Sequence, residues 1–218
     1  MFSIEFFHKN YETDVCEAGI RGRKFRFFRP RYIEPFVASE NPLHDFPLWC
    51  KIWEPSLFLA DHLASIVPEP GKRFLEIGGG LGLVSVVASS FGHTITMTEH
   101  IPDALAFARA NAMENGCSDL EIVDLDWNDF SMKERFDCIV GSEIVYSERD
   151  FDPLERLFGK LLKPDGEVLL VSGVRKTSIA FFARMQEIFQ VKGQKKTLRS
   201  ASKEFPLILC TMKPRQQG

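Results

Sequence analysis

Apolar positions recur along the chain in two alternating rhythms. Arg73 to Ile77 is a short apolar run that ends in glycines, the pattern of a strand buried on both faces. Leu81 to Phe91 carries a helical pattern that Gly92 stops. Thr94 to Thr98 is β-branched and predicts a second strand. Pro102 opens the next helix at a first-turn position, and Asn115-Gly116 closes it. Leu120 to Leu125 and Phe136 to Val140 predict the third and fourth strands. Phe151, Leu154, Leu157, Phe158 and Leu161 recur at spacings of three and four, one apolar helical stripe. Lys163-Pro164-Asp165-Gly166 predicts a turn, Glu167 to Ser172 a fifth strand, and Ile179, Phe182, Met185 and Phe189 another amphipathic helix. The last runs, near Val191 to Leu198 and Leu207 to Met212, have no helical pattern between them and predict an antiparallel hairpin.

Strand and helix thus alternate until strands follow one another without a helix. Alternation specifies the α/β class: a doubly wound, mostly parallel sheet with helices on both faces, here closed by a C-terminal antiparallel hairpin. Ligands in such sheets bind outside the carboxyl ends of the strands, at the topological switch point. Residues 1–50 are less regular. Val15 to Phe28 predicts a hairpin, with its turn near Ala18-Gly19 or Arg21-Gly22. Pro30, Pro35, Pro42 and Pro47 predict an extended connector, and Pro55 to Val67 a helix with Leu59, Leu63 and Ile66 on one face. The expectation is a single domain over residues 1–218, with 1–50 an N-terminal extension packed on a core of 51–218.

Length and composition narrow the class. The chain has 218 residues, 44% hydrophobic and 26% charged, which suits one well-filled globular core. A formal net charge of −3 excludes a general polycation. Cys16, Cys50, Cys117, Cys138 and Cys210 are scattered and form no C-x-x-C pair. That usage predicts a reducing, cytoplasmic compartment. No apolar run reaches the roughly 18–20 residues of a membrane span, and the first residues lack the pattern of a secretory signal. His8, His44, His62, His93 and His100 are dispersed, so no metal site is expected. With no exposed heptads, a monomer is the default.

Five segments carry candidate chemistry. The first is Glu76-Ile77-Gly78-Gly79-Gly80-Leu81-Gly82, between the first core strand and its helix. Glycines let backbone approach a ligand closely. The acid before them suits an ammonium better than a pyrophosphate, and Leu83 stands where a dinucleotide fingerprint needs glycine. The second is Glu99, at the next strand end, where a carboxylate can accept both hydroxyls of a ribose. The third is Leu125-Asp126-Trp127, an acid for an adenine amino group and an indole for its face. The fourth is Ser142-Glu143-Ile144-Val145-Tyr146, a carboxylate and a phenol on the loop after the fourth strand. The fifth is Trp49 and Trp53, ahead of the first core helix, which suit a cavity mouth or plain packing.

The Glu-x-Gly-x-Gly-x-Gly turn, the acid at the next strand end and the terminal hairpin resemble the seven-β-strand methyltransferases. The Trp53 segment, Leu125-Asp126-Trp127 and Glu143-Ile144-Val145-Tyr146 resemble the protein-lysine methyltransferases of family sixteen, over roughly residues 48 to 190. This resemblance implies a Rossmann-like seven-stranded sheet. It implies S-adenosylmethionine as cofactor, S-adenosylhomocysteine as product and a protein substrate. It implies that Trp53, Glu76, Gly78, Gly80, Glu99, Asp126, Trp127 and Ser142 hold the cofactor, while Glu143 and Tyr146 face the substrate nitrogen. Many lysine-directed members carry Asp where Glu143 stands, and a Ser-Glu-x-x-Tyr form also resembles histidine-directed relatives.

Other readings stay open at this point. They are a small-molecule or RNA methyltransferase on the same fold, a nicotinamide-dependent oxidoreductase, and a non-catalytic binding module. Arg21, Arg23, Lys24, Arg26, Arg29 and Arg31 interleave with Phe25, Phe27 and Phe28. That pattern fits nucleic-acid binding, a docking strip for an acidic protein, or a half-buried strand with a charged face, which we favour.

Overall fold

A computed structural model describes residues 2–37, 46–200 and 203–215. In chain order it forms α1 (Ile4–Asn10), β1 (Thr13–Ile20), β2 (Arg23–Pro30), α2 (Glu54–Ala64), β3 (Arg73–Ile77), α3 (Leu83–Ser90), β4 (Thr94–Glu99) and α4 (Pro102–Glu114). It continues with β5 (Glu121–Asp124), β6 (Phe136–Ser142), α5 (Phe151–Leu161), β7 (Leu162–Gly173), α6 (Lys176–Met185), β8 (Phe189–Ser200) and β9 (Lys203–Pro214). Short 3₁₀ turns at Glu34–Phe36, Leu48–Cys50 and Glu148–Asp150 join them.

Seven strands make one sheet in the order β5-β4-β3-β6-β7-β9-β8. β3 pairs in parallel with both β4 and β6, and β9 runs antiparallel to β7 and β8. The chain moves outward from β3 to β5, then returns to lay β6 on the other side of β3. The carboxyl ends of β3 and β6 therefore flank the switch point where the connections diverge.

Period-two alternation decides which face each strand residue serves. Phe74 and Val140 pack with Leu59, Leu63, Val84 and Val87 of α2 and α3. Leu75 and Ile139 point the other way, onto Leu154, Phe158 and Phe181 of α5 and α6. Each such side chain contributes about 1.5–3 kcal/mol on burial. A third cluster, around Phe7, Phe28, Trp49 and Phe107, fastens the N-terminal segment to α4.

The N-terminal hairpin turns at Arg21-Gly22, with φ of 48° and 80°. Two left-handed residues are what a tight hairpin requires, so this site wins over Ala18-Gly19, which lies within β1. Among the described residues no strand lies on the outer edge of β2, and α4 supplies partners there. Asn111 accepts the Phe28 N–H at 2.6 Å and donates to the Phe28 carbonyl at 3.1 Å. Asn115, one turn on, does the same for Arg26 at 3.0 and 2.7 Å.

The basic-aromatic stretch is a half-buried strand in the structure. Phe25, Phe27 and Phe28 are buried, and most of the arginines are engaged on the protein itself. Arg21 pairs with Asp61, Arg26 with Glu114, and Arg29 and Arg31 with Asp14. Arg23 stacks over Phe91 at 4.1 Å.

Several boundaries differ from expectation. Lys163–Gly166 is no free turn: it bulges within β7, where the register jumps from Phe136↔Leu162 to Cys138↔Glu167, and Lys163 pairs with Asp137 at 2.8 Å. Phe189 leaves the helix pattern to begin β8, because α6 stops at Met185. The helix expected at Pro55 to Val67 ends at Ala64. Pro35 sits in a 3₁₀ turn, not an extended connector, and Pro42 lies outside the described residues. The α1 helix was not anticipated; Ser3 caps it by accepting the Phe6 N–H at 3.2 Å.

Candidate active site

β3 runs into a glycine-rich turn in which Gly78, Gly80 and Gly82 take positive φ. Gly78 has φ of 64°, and a β-carbon there would stand 3.2 Å from the Trp127 ring. A β-carbon on Gly79 would stand 2.5 Å from the Met97 methyl. The turn is thus pressed between β4 and the loop after β5, its N–H groups partly directed by protein. Gly79 donates to the Thr98 carbonyl at 3.0 Å. Gly80 donates to Glu99 at 2.9 Å.

Two buried acids stand on either side of this turn. Glu99 ends β4 and accepts three backbone N–H groups: Gly80 on Oε2, His100 at 2.7 Å and Ile101 at 3.1 Å on Oε1. Glu76 is only 2% exposed and lies behind the turn. Its Oε2 accepts the Ser85 N–H at 3.0 Å and the Ser85 hydroxyl, which ties β3 to α3. Burial raises the Glu76 acid to about 7, and the Glu99 charge adds to this while the Ser85 bonds oppose it.

β6 ends in a sharp redirection. Glu143 is a non-glycine residue with φ of 53°, held there by donation from its N–H to the Val171 carbonyl at 2.9 Å. A left-handed residue with a β-carbon costs about 1–2 kcal/mol. Such strain clusters at functional sites. It turns the Glu143 carboxylate towards the end of β7. There Oε1 accepts the Gly173 N–H at 2.5 Å, and Oε2 accepts the Arg175 guanidinium. Three residues on, Tyr146 is 44% exposed. Burial lifts its hydroxyl above the ordinary phenol range, and the Glu143 charge adds to the lift. Its loop is fixed by Asp150, which accepts the Tyr146 and Ser147 N–H groups, each at 2.8 Å.

These elements enclose a cavity of about 850 Å³ at the carboxyl ends of β3, β4 and β6. That volume lies in the range of small-molecule and cofactor sites. Gly78, Gly80, Glu99, Trp127, Ser142, Glu143 and Tyr146 line it, as does Trp53. The segment before α2 forms another wall: Trp49 approaches within 3.6 Å of where a Gly80 β-carbon would be, and the Trp53 indole donates to Leu48 at 2.7 Å.

Eight of the ten residues that the resemblance assigns to the site therefore line one cavity, as does Trp49, and Glu76 and Asp126 do not. Glu76 is turned inward to Ser85. Asp126 accepts the Asn128 N–H at 2.8 Å and the Asn128 amide at 2.9 Å, shaping the loop that carries Trp127. Four charged residues of this site were not singled out from the sequence, among them Arg149 and Asp150, which line the cavity. Lys51 lines the cavity with its ammonium 4.5 Å from the Trp53 ring centroid. Arg175 reaches Glu143 from the start of α6. The rule that ligands gather at strand ends would have pointed to Arg175, because it follows the end of β7 by two residues.

Residues 47–188 match the family described as lysine methyltransferase. Protein N-lysine methyltransferase METTL21A of Danio rerio is 31% identical over 150 residues, 65% of this chain and 68% of that protein. EEF1A lysine methyltransferase 3 of Mus musculus is 30% identical over 142 residues, 62% of this chain and 61% of that protein. The matched region thus spans roughly two thirds of each relative. Among solved structures, P. horikoshii TYW2 in complex with MeSAdo superposes with a TM-score of 0.59 at 16% identity, over 91% of this chain and 70% of that one. The ribosomal protein L11 methylase of Lactobacillus delbrueckii subsp. bulgaricus gives 0.57 at 19% identity, over 76% and 81%. These two structures speak to the fold alone.

Proposed function

This chain belongs to the lysine methyltransferase family and is an S-adenosylmethionine-dependent methyltransferase, and from that we propose that Glu143 and Tyr146 present a protein lysine side chain to the cofactor's methyl group. The observation that carries the proposal is the shared cavity. The acid and the phenol after β6 line the same space as Glu99 and the glycine turn.

The residues present fit the cofactor. Gly78, Gly79 and Gly80 line the cavity with bare backbone, and Glu99 lines it with lone pairs to spare. We assign Glu99 to the ribose hydroxyls, Trp127 to the face of the adenine, and Gly78, Gly80, Ser142 and Trp53 to the surrounding wall. Lys51 is our candidate for the carboxylate of the amino-acid tail, because its ammonium already stands over Trp53 at the cavity wall. Glu76 and Asp126 act one step back, holding α3 and the Trp127 loop.

When bound, S-adenosylmethionine supplies a methyl group already activated on a sulfonium, so the protein needs no nucleophile of its own. The chain's task is to align a neutral nitrogen and keep water away. Free lysine has a pKa near ~10.4 and arrives mostly protonated. The apolar walls around Ile144, Leu83 and Val84 favour the neutral amine. Tyr146 stays a phenol through the physiological range and offers a hydroxyl to the amine. Glu143 accepts an N–H from it and orients its lone pair.

The domain limits proposed from the sequence, an extension over 1–50 and a core over 51–218, are supported by the way α1 and β2 pack onto α4. No helix among the described residues is long and apolar enough to cross a membrane. All five cysteines are free, which supports a cytoplasmic location.

The test is labelling of a fractionated cell lysate with methyl-tritiated S-adenosylmethionine, with Glu99→Ala as control. A discrete protein band that carries methyl-lysine and disappears with the variant is the expected result. Methyl-histidine in the band would transfer the site to a histidine acceptor, as the Ser142-Glu143 form allows. Label confined to RNA or small molecules would overturn the protein substrate.

A further inference from the structure

The carboxylate that faces the substrate in our reading is not a free acid. Glu143 is 6% exposed at its side chain, and each oxygen is already engaged, one by the Gly173 N–H and the other by Arg175. Arg175 is 48% exposed, so its guanidinium reaches inward from the surface to meet a buried partner. Its backbone is fixed too: the Arg175 N–H donates to the Ser178 hydroxyl at 3.2 Å, and that hydroxyl in turn donates to Gly173 at 3.0 Å. The end of β7 and the start of α6 thus form a clamp, built from residues far from Glu143 in sequence.

We propose that Arg175 is a positioning residue of the methyl-transfer site, holding the Glu143 carboxylate in place so that Glu143 meets the substrate nitrogen as an oriented hydrogen-bond acceptor rather than as an unpaired charge. The proposal rests on the reading that Glu143 faces the substrate. An unpaired buried carboxylate would attract an ammonium, which has no lone pair to give the methyl group. A carboxylate neutralised by arginine keeps lone pairs for a neutral amine without that electrostatic trap. Arginine suits this task because its charge persists at every pH the enzyme meets and its fork is rigid. The charged and titratable groups around Glu143 are Arg175 from α6 and Tyr146 from its own loop. Asp150 and Glu99 lie further round the cavity and act on Tyr146.

The test compares Arg175→Gln, Arg175→Lys, Glu143→Gln and the Arg175→Gln/Glu143→Gln pair in the full chain. Methyl incorporation from tritiated S-adenosylmethionine into the lysate fraction gives the rate, and calorimetry gives S-adenosylhomocysteine affinity. Arg175→Gln is expected to lower the rate at least tenfold with affinity within twofold of wild type. The loss should fall on kcat with the KM for S-adenosylmethionine within twofold of wild type, because the cofactor side of the cavity is untouched. Arg175→Lys should restore part of the rate, which also guards against a variant that merely misfolds. The double variant should lose no more than Glu143→Gln. Full activity in Arg175→Gln, a loss seen only in KM, or additive losses in the pair, would overturn the role of Arg175. Full activity in Glu143→Gln would instead overturn the reading beneath it.

Discussion

Glu99 and Gly80 are joined by a 2.9 Å hydrogen bond that ties the acid at the end of β4 to the glycine turn after β3. One carboxylate therefore shapes the floor of the cavity and still faces into it. Glu99→Ala is expected to weaken S-adenosylhomocysteine binding by one to two orders of magnitude. This matches the roughly 1.5–3 kcal/mol of hydrogen bonds to a charged group. Isothermal calorimetry measures it, and affinity within threefold of wild type would remove Glu99 from the cofactor site.

Lys51 offers a cleaner discrimination. If its ammonium meets the tail carboxylate, Lys51→Ala should weaken S-adenosylmethionine binding about tenfold. Decarboxylated S-adenosylmethionine should bind wild type and variant alike. Equal losses for both ligands would mean that Lys51 acts on the cavity wall through Trp53, over which it stands at 4.5 Å.

Tyr146→Phe should separate chemistry from cofactor binding. The expected outcome is a ten- to hundredfold drop in methyl incorporation with S-adenosylhomocysteine affinity unchanged. Its hydroxyl has no hydrogen-bond partner among the described residues, so the variant leaves no protein group orphaned and stability should hold. A variant with wild-type rate would exclude the phenol from positioning the amine.

Glu76 makes stability depend on pH. Its acid is raised from 4.5 to about 7 in the folded chain, so the folded state binds this proton more tightly than the unfolded state does. The stabilising contribution is complete below about 4.5 and is lost as pH rises through about 7. Between pH 5 and 8 the wild type should lose on the order of 2 kcal/mol more stability than Glu76→Gln. Urea unfolding of both proteins across that range checks it, and parallel curves would contradict the assignment.

Asn111 bridges three chain segments, bonding Phe28 of β2 and the Leu81 carbonyl at 2.9 Å. Asn111→Leu should cost about 1–3 kcal/mol, because it strands the buried Phe28 N–H. Hydrogen exchange should show that amide, and the hairpin around it, opening before the sheet.

Local pattern was sufficient for most of the architecture. Strand and helix periods, glycine stops and the final helix-free runs are properties of neighbouring residues, so β3 to β9 could be read nearly in place. The cavity's location followed from the switch-point rule, and Gly78, Gly80, Glu99, Trp127, Ser142, Glu143 and Tyr146 do line it. Trp53 was equally readable as packing, and its place became clear only in three dimensions.

What the pattern left undecided depends on contacts between distant positions. An acid before glycines looks the same whether it faces a ligand or a serine, and Glu76 turns to Ser85 because α3 begins directly behind the turn. Lys163–Gly166 has the composition of a free turn, yet a paired strand holds it as a bulge. The arginines of the N-terminal hairpin resemble a nucleic-acid surface until Asp14, Asp61 and Glu114 are brought beside them. Arg175 belongs to Glu143 only because β6 and β7 are parallel neighbours whose ends coincide. Periodicity records which face a residue presents to its surroundings, whereas the partner on that face is chosen by the path of the whole chain.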